Sequence, residues 1–175
     1  TAQDKREGKL VKYEDASGNS IQYAYNNEGE PVEITDTAGR KIAMTWTDHH
    51  ITAIQDPIGQ STTYGYDASN RLTSVTAPDG STVRYEYDSG NRLVKTVNGE
   101  GEAMSFTYNV NNQVTAVYNN AGAKISGFTY NAGGAVRSDG LGNSWQYSIT
   151  GKNITKEIDP LHQETDYEYD ANGNL

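Results

Sequence analysis

A chain of 175 residues that is 34% hydrophobic, with 18 Gly, 13 Tyr and a mean hydropathy of -0.78, is too polar for a thick aliphatic core and too aromatic for simple disorder. Its 14 Lys and Arg against 23 Asp and Glu leave a net charge of -9, with no basic run to track phosphates, which argues against a nucleic-acid partner. The absence of Cys excludes disulfides and thiolate chemistry, and no apolar run approaches the length of a membrane span.

The chain starts "TAQDKREGKL", without the apolar stretch of a signal peptide. It opens on a return strand with Leu10 and Tyr13, turns at Asp15–Gly18 and reaches a first aromatic pair, Tyr23 and Tyr25. The turn Asn26–Gly29 follows, then Asp36–Gly39, then Met44 and Trp46. His50 stands where the neighbouring copies of the next turn carry Gly or Asn, and Ile51 and Ile54 lead on to Asp56–Gly59. Tyr64 and Tyr66 precede Asp67–Asn70, Leu72 and Val75, and a turn that keeps Gly80 but has Ala77 in place of Asp. The strand 81–87 carries Tyr85 and Tyr87, turns at Asp88–Asn91, and returns over 92–97 with Leu93 and Val97 to the turn Asn98–Gly101. Phe106 and Tyr108, Asn109–Asn112, Val114 and Val117, and Asn119–Gly122 repeat the scheme. The chain continues through Phe128 and Tyr130, Asn131–Gly134, Asp139–Gly142, Trp145 and Tyr147, Ser148–Gly151 and Asp159–His162. It ends with Tyr167, Tyr169 and the turn Asp170–Gly173.

The second aromatic of each pair recurs at spacings of 21, 20, 21, 21, 22, 17 and 22 residues, the signature of a quasi-one-dimensional repeat. Residues i and i+2 of a strand share a face, so each copy places two large side chains on one side of a sheet. Asp or Asn at a turn start, with Gly or Asn three places on, is the chemistry of a hairpin loop with a bulge. In this reading Gly39, Gly59 and Gly80 close turns of this kind. Tight turns make neighbouring strands antiparallel, which predicts an all-β continuous meander of about sixteen short strands. Adjacent strands twist by roughly 20–25°, so the sheet is expected to spiral, with Leu72 and Val75, Ile51 and Ile54, Leu93 and Val97, Val114 and Val117, and Leu10 and Tyr13 as apolar partners of the aromatic columns. Incomplete repeats at both ends make residues 1–175 one array, expected to be a piece of a longer chain.

The stretch "YGYDASNRLTSVTAPDGSTVRYEYDSGNRL" closely resembles the Tyr-x-Tyr-Asp-x-x-Gly-Arg-Leu unit of the Rhs/YD-repeat family. That family includes bacterial polymorphic toxins, wall-associated proteins, Tc toxin C components and teneurins. The copies depart from the unit at Thr47 and Ser148 in the Asp place, and Arg is kept only at Arg71 and Arg92. The resemblance implies a β-strip spiralling into a large hollow shell, secreted or at a bacterial surface, whose partners are the remaining repeats and a C-terminal toxin domain of the same polypeptide. The structural repeat residues are then Tyr23, Tyr25, Trp46, Tyr64, Tyr66, Asp67, Tyr85, Tyr87, Asp88, Tyr108, Tyr130, Tyr147, Tyr167, Tyr169, Asp170, Gly39, Gly59 and Gly80.

Nothing in the pattern marks a catalytic site, metal or cofactor. "DPIG" at 56–59 resembles the self-cleaving element of Rhs toxins, but Gln60 follows and the tetrapeptide fills a regular turn. His49 and His50 point to opposite faces of a strand, with no third ligand for a metal. "DANGN" at 170–174 starts like a calcium loop without its distal Glu. The carboxylates recur at turn starts, without the unique facing pair a glycosidase needs. An alternative role is a surface or wall-associated module whose Tyr rings stack on glycans, although the Gly-Trp motifs of wall-binding repeats are missing.

Overall fold

A computed structural model describes residues 7–175; the first six residues of the expected array lie outside it. The described residues contain no helix. Sixteen strands follow in chain order through one antiparallel sheet. The chain divides into two compact units, Thr1–Arg84 and Tyr85–Leu175.

The first unit holds β1 (Lys12–Glu14), β2 (Ser20–Tyr25), β3 (Pro31–Asp36), β4 (Lys41–Thr47), β5 (His50–Gln55), β6 (Ser61–Tyr66) and β7 (Leu72–Thr76). The eighth strand, β8 (Thr82–Tyr87), crosses the division. The second unit holds β9 (Leu93–Val97), β10 (Ala103–Tyr108), β11 (Val114–Tyr118), β12 (Lys124–Asn131), β13 (Gly134–Asp139), β14 (Ser144–Thr150), β15 (Asn153–Ile158) and β16 (Glu164–Asp166).

Within the first unit the register lays Tyr23 against Ile34 and Ile34 against Ile42, and Tyr64 against Val75 and Val75 against Val83. Tyr66 meets Leu72, and a bulge between Gly65 and Tyr66 takes up one extra residue of the return strand. That bulge lets Leu72 and Val75, three apart, face aromatics two apart. The same offset brings Ile51 and Ile54 to Trp46 and Met44, and in the second unit Val114 and Val117 to Tyr108 and Phe106.

Val97 departs from the expected pairing. It sits opposite Ala103, which lies on the other face from Phe106, so Thr96, paired with Met104, takes the aromatic-face position instead. On the other face Thr107, Ala116, Gly127 and Ser138 form one cross-strand row of small residues. Ala116, at 6% exposure, is the one buried hydrophobic residue among those described. A single layer has no closed core, so the aromatic columns are half-buried by their neighbours in the sheet and Tyr130 remains 37% exposed.

Candidate functional site

The recurring unit is a turn joined to an aromatic clasp. In twelve of the turns, Oδ1 of the leading Asp or Asn accepts the backbone N–H groups two and four residues on, at 2.8–3.1 Å. Ala77 leads the exception, where Asp79 accepts the Ser81 N–H instead. The backbone closes each loop from the fourth residue to the first and from the first to the fifth, as in Gly39 N–H to Asp36 O and Asp36 N–H to Arg40 O. The fourth residue is left-handed: φ is 77° at Gly39, 86° at Gly59 and Gly80, 62° at Asn70 and Asn91, and 84° at Gly173. This is a three-residue hairpin loop, a type I turn followed by one left-handed residue.

The fifth residue answers the first. Where Asp leads and Arg or Asn stands fifth, that side chain donates to the other carboxylate oxygen: Arg71 Nε to Asp67 at 2.8 Å, Arg92 Nε to Asp88 at 2.7 Å, Asn174 Nδ2 to Asp170 at 3.0 Å. Where Asn26 and Asn109 lead, the amide donates to the fifth residue: Asn26 to Glu30 at 2.7 Å and Asn109 to Gln113 at 2.8 Å. The Asp67 and Asp88 carboxyls lie below the ordinary Asp value, held there first by the backbone N–H groups of Arg71 and Arg92 and then by their side chains. For Asp36 and Asp170 the leading cause is the side chain of Arg40 and of Asn174.

The aromatic next to the turn reaches back to the preceding return strand. Tyr25 donates its hydroxyl to Leu10 O at 2.8 Å, Trp46 its indole N–H to Pro31 O at 2.7 Å, and Tyr66 its hydroxyl to Ile51 O at 3.0 Å. In the second unit Tyr108 reaches Leu93 O at 2.5 Å and Tyr130 reaches Val114 O at 2.8 Å. In each of the first three cases the residue pairing with that return strand stops short of the acceptor, at Lys12–Gln22, Glu33–Ala43 and Ala53–Thr63, and in the first a last backbone bond joins Tyr23 N–H to Val11 O. The ring therefore satisfies a carbonyl that the ladder leaves open. Of the remaining column residues, Tyr23, Tyr64, Tyr85, Tyr87 and Tyr169 are half-buried on their strands or beside the last turn. Tyr167 donates to Glu157 at 3.3 Å.

The copy around Tyr147 differs from its sequence reading. Tyr147 pairs with Glu157, and a bulge precedes Ile149, which pairs with Ile154. Ile149 therefore occupies the turn-side position, as Trp46 does opposite Ile51. Lacking a hydroxyl, Ile149 donates its own backbone N–H to Gly133 O at 2.8 Å. The strands close up accordingly: a Cβ on Gly134 would lie 1.9 Å from the Tyr147 carbonyl oxygen. Gly134 thus serves close approach and sits in β13, not at a left-handed turn end.

Around His49 and His50 the left-handed residues are Asp48 (φ 48°) and His49 (φ 63°). Thr47 pairs with His50 across a two-residue loop, so His50 does not stand in for Gly. His49 Nδ1 meets Glu30 Oε1 at 2.6 Å, and the His50 ring lies 4.8 Å from that of Tyr66. "DPIG" is a regular turn with Ile58 and Gln60 donating to Asp56. In "DANGN" the Asp170 oxygens take Asn172 and Asn174.

A family model described as RHS Repeat matches residues 6–41, 46–82 and 66–103. No curated protein matches the chain. Among solved structures, the crystal structure of TcdB2-TccC3 is similar at 12% identity and a TM-score of 0.61, over 87% of this chain and 10% of that one. The crystal structure of TcdB2-TccC3-Cdc42 is similar at 19% identity and a TM-score of 0.57, over 91% and 9%. The Photorhabdus luminescens Tc holotoxin pore with a mutated TccC3 gives 18% and 0.55, over 91% and 9%. At these identities the likeness is one of fold, and the chain spans about a tenth of the length of those structures. With the repeat model matching more than half of its residues, the chain belongs to the RHS Repeat family.

Proposed function

We propose that this segment is a non-catalytic length of wall in a Rhs-type shell that encloses or presents a C-terminal toxin domain of the same polypeptide, in a protein secreted by a bacterium. The carrying observation is the clasp: Tyr66 and Tyr108 each spend their hydroxyl on the preceding return strand. A sheet with one buried hydrophobic residue among those described draws its stability from lateral neighbours. Each repeat then needs the next, and the remaining repeats of the parent chain are the partners it is built to meet. Residues 1–175 act as one stretch of such an array. Tyr23, Tyr64 and Tyr85 stiffen the wall; Asp67, Asp88 and Asp170, with Gly39, Gly59 and Gly80, turn it.

The test is limited proteolysis of the natural polypeptide that carries this segment, with the wild-type wall and with Tyr66→Phe and Tyr108→Phe combined. The C-terminal domain is expected to be protected in the first and cleaved sooner in the second, while glycan arrays stay blank. Equal cleavage in both, with saturable glycan binding, would replace the shell by the adhesion reading.

A further inference from the structure

Asn98 is the one turn-leading Asn followed by Gly; Asn26, Asn109, Asn119 and Asn131 precede Asn27, Val110, Asn120 and Ala132. Its Oδ1 accepts the Glu100 N–H at 3.1 Å and the Glu102 N–H at 2.8 Å. Those donors point at the oxygen that would gain negative charge if Cγ were attacked, and fixed donors at such an oxygen lower the barrier to acyl transfer. The nucleophile is adjacent: the Gly99 nitrogen, with no side chain beside it to screen the approach. The leaving group is free as well. Asn26 and Asn109 commit their amide nitrogens to Glu30 and Gln113, whereas the Asn98 amide nitrogen makes no hydrogen bond to another of the described residues. The site is exposed at a hairpin tip.

We infer that Asn98 is a site of spontaneous covalent modification, in which its own turn assists conversion to aspartate and isoaspartate. The Gly99 nitrogen gives its proton to solvent base and attacks Cγ, forming a nitrogen–carbon bond. The Cγ–Nδ2 bond breaks and the amide leaves as ammonia, closing a succinimide. Water adds to either imide carbonyl and opens the ring, leaving a carboxylate on a normal or an isomerised backbone.

The product conflicts with the pairing of first and fifth residues. Every Asp that leads a turn faces Asn, Arg or Gln at the fifth place, such as Asn19, Arg40 or Gln60, and never an acid. At Asn98 the fifth residue is Glu102, so modification sets two carboxylates together. The isomerised form also adds a backbone atom inside the loop joining β9 and β10. That hairpin is the place where ageing would loosen the sheet.

The second Asn-Gly pair, Asn172–Gly173, is the internal comparator. Asn172 sits at the third place of its turn, and there Asp170 takes the two N–H groups. The experiment ages the whole chain in mildly alkaline buffer, folded and in concentrated urea, and follows both sites by peptide mapping with mass spectrometry. In the folded chain Asn98 is expected to convert roughly tenfold faster than Asn172, below the hundredfold or more of one optimised oxyanion donor in an enzyme. In urea the two rates should converge. Gly99→Ala should slow Asn98 without altering the circular dichroism. Folded Asn98 converting no faster than Asn172, or more slowly than in urea, would overturn the inference.

Discussion

The guanidinium carbon of Arg92 lies 5.0 Å from the centroid of the Tyr108 ring. The same side chain donates Nε to Asp88 at 2.7 Å and reaches Asn109 O and Asn112 Oδ1 at 3.3 Å. One arginine thus ties its own turn to the next turn of the same rim and lies against the ring between them. A lysine keeps the charge but lacks the planar fork, so Arg92→Lys is expected to behave nearly like Arg92→Ala. A double-mutant cycle with Tyr108→Leu, read by urea denaturation, should return a coupling of about 0.5–1 kcal/mol, the range for an exposed cation–π pair. Full retention of stability in Arg92→Lys would show that charge alone matters there.

The tyrosine clasp separates cleanly from ring packing. Tyr66→Phe and Tyr108→Phe each lose one hydrogen bond and leave a carbonyl without its donor, so each should cost about 0.5–1.5 kcal/mol. Tyr147 is the control. Its hydroxyl makes no hydrogen bond to another of the described residues, and the backbone of Ile149 does the corresponding work. Tyr147→Phe should leave the denaturation midpoint unchanged. A loss there equal to that at Tyr66 would mean that the phenol acts through something other than the clasp.

Acid should weaken the turns in a direction fixed by their carboxyls. Asp36, Asp67, Asp88 and Asp170 have folded values below the ordinary Asp value of 3.8. Their contribution to stability is complete above that value and drains away as pH falls through the lower folded values. Urea midpoints measured from about pH 6 down to pH 2 should fall on this limb. Replacing Asp36, Asp67 and Asp88 together by Asn should flatten it. An unchanged acid limb in the triple variant would assign it to other carboxylates.

The period, the strand order and most of the turns were legible because their causes are local. A left-handed residue needs Gly or Asn at one place, and a leading Asp or Asn bonds two and four residues ahead, within the reach of a short sequence window. The clasp was not legible, because its acceptor is a backbone carbonyl fifteen or sixteen residues earlier, and any residue carries one. Around Tyr147 the aromatic pattern itself misled. Trp145 and Tyr147 look like the usual pair, but the bulge falls before Ile149. One signal was available, since setting Ile149 in the column turns spacings of 17 and 22 into 19 and 20. The pairing of first and fifth turn residues was also within reach, because Asp67 with Arg71 and Asn109 with Gln113 stand four apart in the sequence.

Gly134 and Gly65 give the sharpest contrast between two glycines that the fold places within strands. Both lie within strands without a left-handed φ, and both are crowded at the position of a missing Cβ. At Gly65 the nearest atom is Ser74 Oγ at 2.4 Å, the end of a side chain that can rotate away. At Gly134 it is the Tyr147 carbonyl oxygen at 1.9 Å, with the carbonyl carbon at 3.1 Å. That oxygen belongs to the ladder of β13 and β14, and moving it spoils the pairing of Gly134 with Ser148 and of Ala135 with Tyr147. Gly65→Ala is therefore expected to cost about 1 kcal/mol or less, and Gly134→Ala about 3 kcal/mol or more, beyond the usual effect of a point substitution. Thermal and urea unfolding of the two variants would measure the difference. Equal losses would mean that the strands can part at β13 and β14 as easily as a serine turns, and the close approach would then not be what keeps glycine at position 134.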